Sequence, residues 1–302
     1  MDVELVPSVL LIIEPHAPSQ PCLGRALMLA RYLHARLDIV CPEGGLAGSP
    51  ALARKLLQEE RQYIAALLQS ITAPDVDMTI ETAPGPLASM IAAKAREKHS
   101  AIVIKAPWNH QSIDSMDAQL MRNCPVPLLL SDGRPWHPRS RLLAAVNVAR
   151  TDAGRKNTVI LEVASALQRA CGAQLDLAFV HSRSSHGEGH AATASALTEL
   201  ERLKARFHVP NAHIHLLNGD AAPTLREFAR HHAYDMLIVG APTCPVAAPW
   251  PRPLSVAQTL IGIGCDLLSV QDPEGGLHER LGDRRRRRYR SFPLWQFMGA
   301  DQ

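Results

Sequence analysis

The sequence predicts an α/β protein made of two tandem five-stranded parallel sheets with helices on their faces. Two observations carry this. The first is a pair of apolar runs that stop abruptly: Ala101-Ile102-Val103-Ile104-Lys105 before Ala106-Pro107, and Asp235-Met236-Leu237-Ile238-Val239-Gly240 before Ala241-Pro242. Neither run alternates polar and apolar residues, so each reads as a strand buried on both faces. The second is repetition, because matching elements recur about 133–135 residues apart along the chain. In an open parallel sheet, ligands bind beyond the carboxyl ends of central strands. The segments that follow these two runs therefore bear most directly on function.

Val9 to Ile13 is the first strand of the first half, and Pro21 to Ala35 the first helix, with Leu23, Ala26, Leu27, Ala30 and Leu33 on one face. Asp38 to Cys41 is a short strand closed by Pro42, and a glycine-bearing loop leads to a long helix over 51–71. Val76 to Thr82 is the third strand, Pro86 opens a helix to about His99, Ala101 to Lys105 is the fourth strand and Val126 to Leu130 the fifth. The order then repeats. Strands are expected at Leu142–Asn147, Leu175–Val180, His213–Leu217, Asp235–Val239 and Asp266–Val270. Helices are expected at Asn157–Cys171, His190–Phe207, Pro223–His231 and Ser255–Ile263. Strand–helix alternation of this kind gives a parallel sheet with helices on both faces. The expected organisation is a first domain at 1–133, a linker at 134–141, a second domain at 142–272 and a basic, disordered tail at 273–302.

Composition narrows the function classes. Apolar residues are 46% and aromatics only 4%, so aliphatic side chains must fill the cores. No apolar run reaches the ~18 residues that span a bilayer, and no signal-peptide pattern precedes Val9. The six cysteines form no CxxC pair or disulfide framework, which suits a reducing cytoplasm. From Pro273 onward seven arginines face four acidic residues, which accounts for the whole formal net charge of +3. A neutral body argues against a nucleic-acid-binding domain, which needs many phosphate contacts.

Arg122-Asn123-Cys124-Pro125-Val126-Pro127-Leu128-Leu129-Leu130, Trp136 in the linker, and Leu143-Ala144-Ala145-Val146-Asn147-Val148-Ala149 carry a family likeness. Each half resembles a universal stress protein domain, and the chain is similar to the tandem members of that family over roughly residues 7–272. The resemblance implies the adenine nucleotide α-hydrolase-like fold of universal stress proteins, with the two halves packed as a pseudo-dimer. It also implies a cytoplasmic, non-enzymatic role in stress response.

Nucleotide-binding members carry Gly-x2-Gly-x9-Gly-Ser/Thr after the fourth strand. Glycines let backbone approach phosphate, and amides at a helix start donate to it. The first half has Lys105-Ala106-Pro107-Trp108 there, with Asp117 where the last pair belongs. A proline removes one donor and a carboxylate repels phosphate, so this half is expected not to bind ATP in the family manner. The second half keeps Gly240, but Thr243 takes the next glycine position and only Ser255 survives of the final pair. The family's aspartate after the first strand matches Asn147 here and Glu14 in the first half. Asn147, Gly219, Gly240 and Ser255 are the candidate ligand residues. The plainer reading of Gly219, Gly240 and Ser255 is as turn and cap residues left by duplication. No cofactor is expected, ATP binding being weak or lost. The alternative is nucleotide binding or weak hydrolysis by the second domain.

Other signals are weaker. His181, His186, His190, His213, His215, His231 and His232 invite a zinc reading. No cysteine or carboxylate obviously converges on them, so solvated histidine is the expectation. Neither a Gly-x-Ser-x-Gly elbow nor HExxH is present. Cys124 and Cys265 open the two last strands and read as inert packing. Arg284, Arg285, Arg286, Arg287, Arg288 and Arg290 precede Phe292, Leu294, Trp295, Phe297 and Met298. Such a tail suits either a solvated extension or contact with an anionic membrane, RNA or acidic protein. A homodimer is a further partner expectation.

Overall fold

The computed structural model describes residues 6–13, 20–42, 58, 59, 62, 63, 66, 73, 75–106, 115–131, 133–148, 154–181, 189–241 and 263–271. Ten strands run in chain order: β1 (Ser8–Ile12), β2 (Arg36–Pro42), β3 (Met78–Ala83), β4 (Ser100–Lys105), β5 (Leu128–Leu130), β6 (Arg141–Ala145), β7 (Gln174–His181), β8 (Ile214–Asn218), β9 (Met236–Gly240) and β10 (Asp266–Val270). The helices with bounds among the described residues are α1 (Cys22–Tyr32), α2 (Leu87–Glu97), α3 (Ser115–Asn123), α4 (Gly154–Cys171), α5 (Gly189–Arg206) and α6 (Ala221–His231). Of the long helix expected at 51–71, the described residues 58, 59, 62, 63 and 66 are helical. The helix expected at Ser255–Ile263 lies outside the described residues apart from Ile263.

All ten strands form one sheet in the order β3-β2-β1-β4-β5-β10-β9-β6-β7-β8. Eight of the nine neighbouring pairs are parallel, and β5 and β10 meet antiparallel at the centre. The order is a mirror about that pair. In each five-strand unit the chain steps outward through three strands and then returns to the other side of the first. The turning points lie between β1 and β4 and between β6 and β9.

Strand pleating sends alternate side chains to opposite faces. Val9, Leu11 and Ile13 join the core under α1, α4 and α5, while Leu10 and Ile12 join the core under α2, α3 and α6. Both cores draw residues from both units. Leu129 and Leu268 are on the first face and Leu128, Leu130 and Leu267 on the second. Helices α1 and α4 touch across the centre.

Helix ends repeat one device. The N–H five residues on bonds back to a carbonyl at the ends of α1, α4, α5 and α6: Ala35 to Ala30, Ala173 to Gln168, Val209 to Lys204 and Tyr234 to Ala229. This bond closes a Schellman cap, whose pivot adopts the left-handed region. The pivots are His34 (φ 48), Gly172 (φ 61), His208 (φ 53) and Ala233 (φ 50), and His99 (φ 52) follows α2 in the same way. Histidine tolerates that region better than most residues. Three of the chain's histidines are thus accounted for by backbone geometry.

Two boundaries differ from expectation for clear reasons. β5 starts at Leu128 and not at Val126, because Val126 is flanked by Pro125 and Pro127, neither of which can donate to the ladder. β6 stops at Ala145 because the Asn147 amide is taken by the Asn157 side chain at 2.9 Å.

The units are also joined through charge. Arg25 on α1 is 5% exposed and stands 2.7 Å from Asp266 at the start of β10. Its guanidinium lies 4.0 Å over Trp136 and donates to the Arg134 carbonyl at 2.5 Å. Trp136 in turn donates its indole N–H to Asp266 at 2.9 Å. Asp235 accepts from the His137 and Arg141 amides, both at 2.8 Å, which pins the connector to the start of β9.

Candidate functional site

The two turning points in the sheet create two candidate crevices, and the structure treats them differently. In the first, Lys105 ends β4 with its side chain turned inward, so the residue is 1% exposed. Its ammonium donates to the Ala106 carbonyl at 2.7 Å and to Asp117 Oδ1 at 2.9 Å. Asp117 sits in the first turn of α3 and is fully buried. The carboxylate expected to repel a phosphate thus serves as the lysine's counter-ion. Neither charge is tolerable there alone, since an isolated ion in the interior costs several kcal/mol. Glu14, the match to the family's aspartate, lies outside the described residues.

In the second crevice, β6 and β9 pair up to Ala144↔Ile238, and Asn147 follows the carboxyl end of β6 as Gly240 and Ala241 close β9 and follow it. Asn147 is exposed, while its backbone is clamped at both ends by one side chain. Asn157 accepts from the Asn147 amide at 2.9 Å and donates to its carbonyl at 2.8 Å. Asn157 is 4% exposed on α4, so the position of Asn147 is fixed from within the core.

Lys156 is the neighbour of Asn157 on α4 and was not singled out by sequence. Its ammonium donates to the Ala241 carbonyl at 3.2 Å. A β-carbon on Gly240 would lie 3.3 Å from Ile160 Cδ1 and 3.8 Å from Lys156 Cδ. Gly240 therefore lets α4 approach β9 closely, which is a packing role. The first turn of α4 holds no acidic residue and includes Arg155 and Lys156. Cations there oppose the helix dipole by roughly 0.3–1 kcal/mol each.

Gly219 does not join this group. It follows β8, two strands beyond β6, or about 10 Å at ordinary strand spacing. Its φ is +142, its N–H bonds the His181 carbonyl at 2.9 Å, and an added β-carbon would lie 2.6 Å from Thr224 Oγ1. The glycine is required by the turn into α6. Gly219→Ala should destabilise the protein by about 1–3 kcal/mol in denaturant unfolding, from the forced backbone and the clash. A loss under ~0.5 kcal/mol would show that the turn relaxes freely. Ser255, Arg284, Arg285, Arg286, Arg287, Arg288, Arg290 and Trp295 lie outside the described residues.

Among the described residues, no group of three or more His, Cys, Asp or Glu is placed to hold an ion. His215 instead stands 3.2 Å from the Tyr234 hydroxyl and 3.7 Å from Asp176. Burial pushes its pKa below the ordinary histidine value, against the pull of Asp176. Asp176 is buried, yet hydrogen bonds from Tyr234 (2.7 Å), the His213 amide (3.1 Å) and Gln174 keep its pKa below the usual carboxylate value. This network ties β7, β8 and the start of β9 together at the amino edge of the sheet, away from both crevices. His186 lies outside the described residues, and His190 stands in the first turn of α5.

Cys124 is 2% exposed, and burial pushes its thiol up to about 12, in keeping with inert packing. Cys265 differs from expectation in being only partly buried, at the bend before β10. None of the described cysteines forms a disulfide. Among the described residues, no helix is long and apolar enough to cross a membrane.

Residues 148–243 match the sequence model of the universal stress protein family. A candidate universal stress protein of Pseudomonas aeruginosa UCBPP-PA14 shares the fold at TM-score 0.65 and 22% identity, over 90% of this chain and 96% of that one. A functionally unknown protein of Pseudomonas aeruginosa PAO1 does so at TM-score 0.65 and 21% identity, over 90% and 95%. A universal stress protein of Archaeoglobus fulgidus DSM 4304 aligns at TM-score 0.61 and 11% identity, over 87% and 96%. No curated protein matches the chain.

Proposed function

We propose that this chain is a tandem protein of the universal stress type, a non-enzymatic stress-response protein acting in the cytoplasm. Its two five-strand units stand to each other as the halves of a pseudo-dimer, joined through β5 and β10. ATP binding is weak or lost. The observation that carries the reading is the buried Lys105–Asp117 pair at 2.9 Å, which sets a lysine and its counter-ion at the carboxyl end of β4, where the family's phosphate loop begins. The second crevice lacks the glycine set but retains an exposed Asn147, so any ligand of the family kind goes there. The mirrored strand order supports the pairing of the units, and the match over residues 148–243 supports the stress-response role.

Calorimetric titration of the full chain with ATP tests the reading. The expected dissociation constant is no tighter than about 0.1 mM, or roughly −5 kcal/mol. Single-digit micromolar affinity would overturn it. Turnover of ATP beyond the buffer rate, abolished by Gly240→Lys, would instead favour the hydrolase alternative.

A further inference from the structure

We propose that the amino edge of the second unit is an acid-sensitive latch, in which protonation of His215 loosens β8 and the carboxyl end of α6 while the first unit stays closed. The strand registers put the edges of the two units in correspondence. β1 and β2 pair Leu10↔Asp38 and Ile12↔Val40, as β6 and β7 pair Leu143↔Asp176 and Ala145↔Ala178. Val40 then pairs with Glu81 and Ala178 with His215, so Glu81 and His215 hold one position on the outer strands β3 and β8. Helices α2 and α6 correspond likewise. Lys94 matches Phe228 in the eighth place, and Lys98 matches His232 at the carboxyl cap.

The chemistry at these places differs between the units. In the first, Glu81 meets Lys94 at 3.0 Å and Lys98 at 3.4 Å. Carboxylates and ammonium groups ordinarily titrate outside the range of pH 5–8. In the second, the His215 ring lies 4.8 Å from Phe228 and 6.4 Å from His232, and Phe228 lies 4.3 Å from His232. Imidazole is the side chain whose ordinary titration falls within that range. An ion-pair cluster in one unit is thus an aromatic and imidazole cluster in the other.

The surroundings of His215 leave an added proton poorly compensated. Tyr234 gives its hydroxyl hydrogen to Asp176 at 2.7 Å, so the 3.2 Å contact between His215 Nε2 and the Tyr234 oxygen is donated by the imidazole. Nδ1 is then the atom that takes the proton. Asp176 faces the ring from β7 at 3.7 Å, but it already has Arg141 of β6 at 3.5 Å and hydrogen bonds from Tyr234, the His213 amide and Gln174. Arg141 lies over the Tyr234 ring and donates to the His232 carbonyl at 2.6 Å, which ties β6 to the end of α6. His213 on β8 and His232 on α6 oppose a charge on His215, and His231 stands 5.2 Å from His232. The cluster is balanced while its imidazoles are neutral and carries excess positive charge once they are not. Burial outweighs the pull of Asp176 and holds the His215 pKa below the ordinary histidine value of 6.5. An opened edge therefore binds the proton more readily than a closed one. The stability this adds is present above about pH 6.5 and is lost as pH falls through the folded pKa.

Hydrogen exchange of the full chain at pH 7.5 and 5.0, corrected for the intrinsic pH dependence of exchange, tests the latch. Residues 78–83 and 87–98 of the first unit serve as the internal control. Exchange over 214–218 and 225–234 should rise about threefold or more relative to that control on acidification. His215→Gln keeps an amide donor for the Tyr234 oxygen but cannot titrate, and it should abolish the rise; His232→Gln should reduce it. In parallel, the imidazole NMR signal that disappears in His215→Gln should titrate below the ordinary histidine value. The proposal is overturned if both units respond equally, if His215→Gln responds as the unaltered protein does, or if that signal titrates at or above the ordinary value. Should His215→Gln fold poorly by circular dichroism, His232→Gln decides, and an undiminished rise in it overturns the latch.

Discussion

Lys105→Met will destabilise the protein by about 3–5 kcal/mol in urea unfolding, and adding Asp117→Leu will recover most of the loss. Methionine keeps the length and apolar stem of lysine, so the single change removes the charge and the donors with little change of volume. What remains is the Asp117 carboxylate, fully buried and without the cation that now stands 2.9 Å from it. The cost is that of an uncompensated interior charge and not the net worth of the pair. Replacing both partners by apolar groups removes that penalty, and such double replacements are often neutral or stabilising. If the double variant is no more stable than the single one, the pair is not what occupies the crevice. Neither variant should gain ATP binding, because Pro107 and Trp108 still stand where a phosphate loop needs amide donors and glycine.

That pair also shows where sequence reading ends. The strands around it were legible, since Ala101 to Lys105 and Met236 to Val239 are unbroken apolar runs stopped by Ala-Pro. The alternation with amphipathic helices gave the parallel sheet, and the repeat gave the likeness between units. The antiparallel meeting of β5 and β10, which joins the two expected sheets into one, left no mark in composition or periodicity and was not expected from the sequence. Lys105 was legible as a lost glycine, yet its partner was not. Asp117 lies twelve residues on, in a different element, and nothing in that spacing says that the two side chains meet. Lys156 and Ala241 are 85 residues apart, which no local pattern can report. Gly219 is ambiguous for the opposite reason. A glycine that opens space for a ligand and a glycine that satisfies a φ of +142 look the same in a sequence. The histidines of the helix ends are a similar case, since histidine in place of glycine gives no sign of a left-handed cap.

Arg25→Met is expected to cost about 3–5 kcal/mol, with the unfolding midpoint lowered and the denaturant slope little changed. Arg25 belongs to the first unit, while Asp266, Trp136 and Arg134 belong to the second unit and the connector. Asp266 is 2% exposed and has two partners described, the indole N–H at 2.9 Å and the guanidinium at 2.7 Å. The guanidinium contact is a charge pair more than a directional hydrogen bond, because Arg25 Nε is not aligned on the carboxylate despite its closeness. Its stabilisation therefore comes mainly from charge compensation in a buried place, which methionine cannot supply. Trp136→Phe removes only the indole donor and part of the stacking under the guanidinium, and should cost about 1–2 kcal/mol. The two changes share one carboxylate, so the double variant should depart from additivity by about 1 kcal/mol or more. Additive losses, or a loss below ~1 kcal/mol for Arg25→Met, would mean that the continuous apolar cores alone hold the two units together.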